Sequence, residues 1–367
     1  MRIAVVQLPD IFSRFLRRPP SLVGVDIGSS AVKAVELTRS GNGAVVATVG
    51  VRPVPPESIV KGTIVDGGVV AEAVRELLDA AGMRGRNVAL SLPGSAVVAR
   101  EITLPRMRQA ELAASIAWEA EQHIPFDLRD VNLGYQVVDR GTDVDGRPVM
   151  VVLLAAAKKT TVAEYSAAVA KAGCVPAVVD VGAFALQNAY EMNGGEPRGR
   201  LAALLDAGAS TINVNIVRDG RSVFTRDMPI GGNAYTDALR LARALSFDAA
   251  ERLKKSNEAG GDDLEEREPA LREVTENLLL EVEKTFDFFA ASQASGRLER
   301  IVLSGGASQA RGLAAAMAQR FGVPVERFDP FRTMTVGGVD VADGEPADVA
   351  ATAAVATGLA LRRAGAR

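Results

Sequence analysis

The chain has 367 residues, 48% of them hydrophobic, and a formal net charge of −3. That length holds about two domains with a substantial core, and a chain without a basic excess has no general affinity for nucleic acid. A single cysteine, Cys174, and a single histidine, His123, exclude an internal disulfide, a thiolate zinc cage and a multi-histidine metal site.

Residues 1–20 stand apart as an N-terminal extension. Ile11, Phe12, Phe15 and Leu16 share a helical face, with Arg14, Arg17 and Arg18 beside them, before Pro19-Pro20 stops the helix. Such a basic amphipathic turn suits a peripheral contact with an anionic membrane surface or a partner; equally, it packs on its own body. Leu22–Leu37 then reads LVGVDIGSSAVKAVEL. A buried strand ends in Asp26, Gly28-Ser29-Ser30 make a turn, and an alternating strand follows. The tip of this hairpin offers backbone N–H groups and hydroxyls to an anion, flanked by Asp26 and Lys33. Ala44–Val51 is a third strand, Val69–Ala81 a helix closed by Gly82, and Asn87–Leu92 a further strand.

From Val97 to Cys174 the pattern is strand Val97–Leu104, helix Gln109–Gln122, strands Val131–Val138 and Val149–Ala156, and helix Thr160–Ala172. This is a compact α/β module set between strands Asn87–Leu92 and Val175–Val181. Within it lies the longest apolar run, Val149–Ala157, far short of the ~20 residues that span a bilayer. The N-terminus also lacks a signal-peptide apolar region, so the expectation is a cytoplasmic protein.

Helix Phe184–Met192 leads into the second half, where Ala203–Ile216 reads ALLDAGASTINVNI. Asp26/Gly28/Ser30 and Asp206/Gly208/Ser210 superpose at an offset of 180 residues. A repeat of this kind implies two related halves. Two facing hairpins, each with an aspartate, are suited to clasp a triphosphate and its Mg²⁺, an ion that takes one or two carboxylates plus phosphate oxygens. The second tip is Gly208, Ala209, Ser210 and Thr211, and Gly231-Gly232-Asn233 opens a helix whose N-terminus suits phosphate. Arg240–Ala291 reads as helix apart from a break at Gly260–Asp263, with Phe286, Phe288 and Phe289 in the core and Glu251, Lys254 and Lys255 at helical spacing. Ile301–Ala307, IVLSGGA, is a strand entering the Gly305-Gly306-Ala307 turn, where glycine lets the backbone approach a flat ligand. Helix Gln309–Phe321, strand Val323–Phe328 and the Ala-rich helix Pro346–Leu361 finish the chain.

The two hairpins resemble the phosphate motifs, and IVLSGGA the adenosine motif, of the actin/Hsp70/sugar-kinase superfamily. Longer stretches are similar to the PilM family of type IV pilus assembly proteins, relatives of FtsA: AWEAEQHIPFDLRDV (Ala117–Val131), VVDVGAFAL (Val178–Leu186), RDMPIGGN (Arg226–Asn233) and ATGLALR (Ala356–Arg362). The resemblance implies an α/β fold of the actin/Hsp70/FtsA-like ATPase type with two related domains. Domain 1A takes 21–96 and 175–200, an inserted 1C-type subdomain 97–174, domain 2A 201–239 and 297–367, and a helical 2B-type subdomain 240–296.

It also implies ATP and Mg²⁺ as cofactors, with Asp26 and Asp206 on the metal. Asp206 and Asp180 become candidates for positioning the metal or an attacking water, and Glu251, Lys254 and Lys255 for reaching ribose and adenine. Helices Phe184–Met192 and Pro346–Leu361 cross between the domains at the hinge. The implied partner is the cytoplasmic N-terminal peptide of a PilN-type inner-membrane protein, docked by the first domain and its insert within a pilus assembly platform. Two other readings stay open. One is an FtsA-like filament former built on self-association. The other is a small-molecule kinase, which needs a base aligned with a bound hydroxyl.

Overall fold

The computed structural model describes residues 6–7, 22–40, 43–255, 263–292, 296–336 and 346–362. The basic amphipathic turn around residues 11–18 and most of the Gly/Asp break near 260 lie outside them. Strands Val23–Ile27, Ala31–Ser40 and Gly43–Pro53 form an antiparallel meander. On its other side Asn87–Leu92 runs parallel to Val23–Ile27, and Val175–Val181 runs parallel to Asn87–Leu92. Val23, Val25, Val88 and Leu90 are buried against helix Gly67–Ala80, whose Val70, Val74, Leu77 and Leu78 form the inward stripe. Each such side chain contributes roughly 1.5–3 kcal/mol by leaving water. Asp66 caps this helix through the N–H groups of Gly68 and Val69, satisfying donors the first turn leaves unpaired.

The second domain repeats the plan strand for strand. Leu201–Ala207, Ile212–Arg218 and Arg221–Met228 make the meander, and Leu298–Ser304 and Val325–Arg327 add in parallel on the far side. Both sheets therefore have the same strand order across these five positions. The first carries two short edge additions, Val6–Gln7 against Val175–Val181 and Thr335–Val336 against Gly43–Pro53.

The insert is a three-stranded antiparallel sheet in the order Val97–Pro105, Pro148–Lys158, Val131–Thr142. Helix Gln109–Glu121 covers one face through Leu112, Ile116 and Ala120. On the other face Leu153, Ala155 and Ala157 join helix Lys159–Lys171 and the main core of the first domain. Burial on both faces explains why the central strand reads as an unbroken apolar run.

Five expectations change. The segment 240–291 breaks early, at Ala244 in the left-handed conformation, leaving helices Gly232–Arg243, Phe247–Lys255 and Asp263–Ser292. Phe288 is 54% exposed rather than core, lying beside Phe224 and under the Arg226 guanidinium. The helix expected from Gln309 starts at Leu313, after a 3-10 turn at Gly306–Gln309. The end of the chain, expected with the second domain, packs on both, with Ala354, Val355 and Leu359 sharing a core with Ala202, Leu204 and Val302. Phe331, Met334, Ala353, Ala356 and Ala360 share a core with Val35, Leu37, Val46 and Val49. The last helix is split at Ala353 into Pro346–Thr352 and Ala354–Ala360. Small residues permit this docking: a Cβ on Gly24 would lie 2.0 Å from the Ala356 carbonyl, and one on Gly358 only 1.7 Å from that of Ala185 in helix Gly182–Met192.

Candidate functional site

The two hairpin tips meet between the domains. Gly28 closes the first by donating its N–H to the Ala31 carbonyl at 3.0 Å, and Gly208 closes the second onto Thr211 at 2.9 Å. Ser29 Oγ and Ser210 Oγ touch across the gap at 2.8 Å. Behind each tip the strand ends in its aspartate. Asp26 accepts hydrogen bonds from Lys33 Nζ at 3.0 Å and from Ser91 Oγ at 3.0 Å. Asp206 accepts one from Ser304 Oγ at 3.2 Å. Ser91 and Ser304 end equivalent strands of the two sheets, so each half presents an Asp–Ser pair. Sequence reading passed over both serines, although VALS before Leu92-Pro93-Gly94 and IVLS before Gly305-Gly306 carry the same signal.

Lys33 and Asn213 are the register partners of Asp26 and Asp206, so here the halves differ by a charge. Burial acts to lower the Lys33 pKa, but the carboxylates of Asp26 and Asp206 outweigh it and hold the ammonium above its usual value. Burial, and then the Asp26 charge, push Asp206 up to about 6, with Lys33 and the Ser304 hydrogen bond opposing. An unneutralised carboxylate in a tight polar cleft is a ready cation ligand.

Glycines bring the remaining pieces together. Gly305 has φ +84, and a Cβ there would lie 2.4 Å from the Ala207 carbonyl and 2.7 Å from Asp206 Oδ1. A Cβ on Gly231 would lie 2.5 Å from the Gly208 carbonyl, and one on Gly232 would be 3.2 Å from Ala307 Cβ. The structure thus gathers Gly208, Ala209, Gly231, Gly232, Gly305 and Ala307 around the second hairpin, next to Gly306. Lys254 Nζ reaches the Gly232 carbonyl at 3.2 Å and Thr236 Oγ1 at 2.8 Å, and pairs with Glu251 at 2.5 Å. Burial works to raise Glu251, but hydrogen bonds from Lys254 and Thr236 keep its carboxyl below the ordinary range. Lys255 is exposed and only grazes the group, 3.2 Å from Glu251.

Two expectations meet contrary geometry. The helix at Gly232 was expected to turn its N–H groups to phosphate, yet Gly232 donates to the Gly208 carbonyl at 2.9 Å and Asn233 to that of Ala209 at 2.7 Å. These donors hold the second hairpin instead. Asp180 is fully buried: one oxygen takes the Val181 N–H and the other an ion pair with Arg362 Nε at 2.5 Å. In this structure it ties the chain end to the first domain.

Among the described residues no three His, Cys, Asp or Glu side chains are grouped to hold a metal by themselves. A Mg²⁺ at Asp26 and Asp206 would therefore take its other ligands from phosphate and water, the ordinary arrangement for this ion, and the residues present fit it. No helix among the described residues is long and apolar enough to cross a membrane.

A family model for the type IV pilus assembly protein PilM matches residues 24–364. A chain of the PilM–PilN type IV pilus biogenesis complex is similar at 31% identity and TM-score 0.78, covering 94% of this chain and 98% of that one. The ethanolamine utilization protein EutJ from Carboxydothermus hydrogenoformans is similar in fold at 17% identity and TM-score 0.55, over 94% of this chain and 90% of its own. MreB5 of Spiroplasma citri, in a structure bound to AMPPNP, is similar at 14% identity and TM-score 0.49, over 94% and 95%. With its paired sheets, facing Asp–Ser hairpins and a family match from the first strand to the last helix, the chain has an actin-like ATPase fold and belongs to the PilM family of type IV pilus assembly proteins.

Proposed function

We propose that this protein binds ATP·Mg²⁺ between its two hairpins and, in a nucleotide-linked way, docks the cytoplasmic N-terminal peptide of a PilN-type inner-membrane protein during type IV pilus assembly. The observation that carries the nucleotide half is the meeting of the tips at Ser29 and Ser210, with Asp26, Lys33 and Asp206 directly behind them. Lys33 supplies a fixed cation for phosphate oxygens, and the two aspartates hold the metal. Bound Mg²⁺ neutralises phosphate charge. Glu251 and Lys254, joined to each other beside Gly232, are the groups assigned to ribose and base in this reading. The partner half is supported by the similar chain in the PilM–PilN complex. An extended peptide fits a groove or sheet edge offered by the first domain with the insert 97–174, which holds the protein peripherally at the inner membrane. Asp206 is the group placed to orient water should turnover occur.

The test is a melt with and without nucleotide. At ligand about 100-fold above Kd, linkage adds about 2.7 kcal/mol, so millimolar ATP·Mg²⁺ raises Tm visibly and GTP·Mg²⁺ less. A nucleotide-free preparation whose melt ignores ATP·Mg²⁺ refutes the site.

A further inference from the structure

Strand Arg221–Met228 of the second domain touches the first at both ends, on the insert and on the turn that leads into it. At one end Arg221 Nη1 lies 2.9 Å from Asp139 Oδ2, on the insert strand Val131–Thr142. Glu101, on the insert's other outer strand, sits in the field of the same Arg221 and of Arg218. At the other end the Asp227 carboxylate lies against the backbone of Gly94-Ser95. Ser95 belongs to the turn Gly94–Ala96, which runs straight into the insert strand Val97–Pro105. The contact is very close: a Cβ on Gly94 would lie 2.1 Å from Asp227 Oδ2 and 2.3 Å from Oδ1. Gly94 does not have a left-handed φ, so glycine is needed there for the approach of Asp227 and not for the turn. Asp227 is in turn held by Asn213 Nδ2 at 2.5 Å, and Asn213 lies two residues beyond the tip of the second hairpin. A continuous path of backbone, one hydrogen bond and a close contact thus joins that tip to the root of the insert.

We propose that strand Arg221–Met228 is a strut that carries closure of the hairpin cleft to the insert, through Asp227 on Gly94-Ser95 and Arg221 on Asp139, so that nucleotide and peptide binding are linked. This rests on the function proposed above and adds its regulation. The insert is covalently part of the first domain, so a second-domain strand that grips both it and the turn at its root must shift it, or lose contact, whenever the domains move. Linkage through such an element acts equally in both directions.

The experiment uses the full chain and two readouts. The first is the Kd of a PilN-type N-terminal peptide with and without ATP·Mg²⁺. The second is hydrogen exchange of Val97–Pro105 and Val131–Thr142 on adding ATP·Mg²⁺ alone. The variants are Gly94→Ala, which wedges Asp227 away while leaving every charge in place, and Asp139→Arg, with the swap Asp139→Arg/Arg221→Asp as rescue. The Arg221 and Asp139 side chains are 34% and 46% exposed, and exposed pairs contribute little stability, so these variants fold. The wild type is expected to show a peptide Kd ratio of at least about fivefold and an ATP-dependent exchange change in the insert. Both are lost in Gly94→Ala and Asp139→Arg while ATP affinity stays within about twofold, and the swap restores them. A wild type that binds ATP with no response in the insert, or variants that respond like it, overturns the strut. A wild type that binds no nucleotide overturns the functional reading and the strut with it.

Discussion

Asp206→Asn separates the electrostatic cost of the cleft from its packing. Burial and the Asp26 charge hold Asp206 at about 6 in the folded chain, against about 3.9 when unfolded. The folded pKa is the higher one, so the folded state binds the proton more tightly. Ionisation therefore destabilises the metal-free wild type progressively from about pH 4 to pH 6, and the full cost persists above that range. Two pKa units at 1.36 kcal/mol each give about 3 kcal/mol, an upper bound because the carboxylate keeps some solvent contact at the cleft. Asparagine preserves shape and can still accept from Ser304, but does not ionise. In chelator-treated protein the variant should thus melt higher than wild type at pH 7.5, by several degrees for a cost of this size, and the gap should close towards pH 4. With ATP·Mg²⁺ the order should reverse, since only wild type offers the metal a second carboxylate. Differential scanning calorimetry from pH 4 to pH 8, with and without ATP·Mg²⁺, measures both. A gap that stays constant with pH would refute the electrostatic account of Asp206.

Lys33→Met should weaken ATP·Mg²⁺ by about 1.5–3 kcal/mol, roughly ten- to a hundredfold in Kd by titration calorimetry; unchanged affinity would leave Lys33 a partner of Asp26 only. Ser29→Ala and Ser210→Ala should couple in a double-mutant cycle on apo stability by about 0.5–1.5 kcal/mol, the ordinary worth of one hydrogen bond, and strict additivity would mean that the tips do not meet in solution. Gly358→Ala places a Cβ 1.7 Å from backbone that no rotamer can move. Overpacking of this kind costs about 1–3 kcal/mol or more, and a Tm equal to wild type would show that the last helix does not dock on Ala185.

Both hairpins were legible because their signals are local: apolar strands of period two, an aspartate at the strand end, and a turn of Gly and Ser. Their boundaries fall within three residues of those read from the sequence. The insert was legible for the same reason, its elements following one another with short connections. What escaped reading depends on distant neighbours. Asp180 finds Arg362 across 182 residues, and no periodicity announces that. Thr335–Val336 returns to the first sheet as an edge strand, too short to show a strand pattern. Ala244 turns left-handed without a glycine to mark it. Gly231 was read as the opening of a helix that faces phosphate, but what lies against it is the second hairpin's own carbonyls, so the helix N-terminus is spent inside the protein.

The repeat is strictest where it builds the fold and breaks where it meets charge. Asp26 and Asp206, Ser91 and Ser304, and Gly28 and Gly208 match across the two halves in position and in hydrogen bonding. The register partners do not match, being Lys33 in one half and Asn213 in the other. A second lysine would neutralise both aspartates and leave no charge demanding a cation. With asparagine there, Asp206 has only a distant share of Lys33, and its pKa rises to about 6. The same asparagine is free to turn its amide to Asp227, whose carboxylate grips the root of the insert. One departure from symmetry therefore does two things in the proposed reading. It leaves one aspartate in need of a metal, and it connects the hairpin that carries that aspartate to the part of the molecule that would meet a partner.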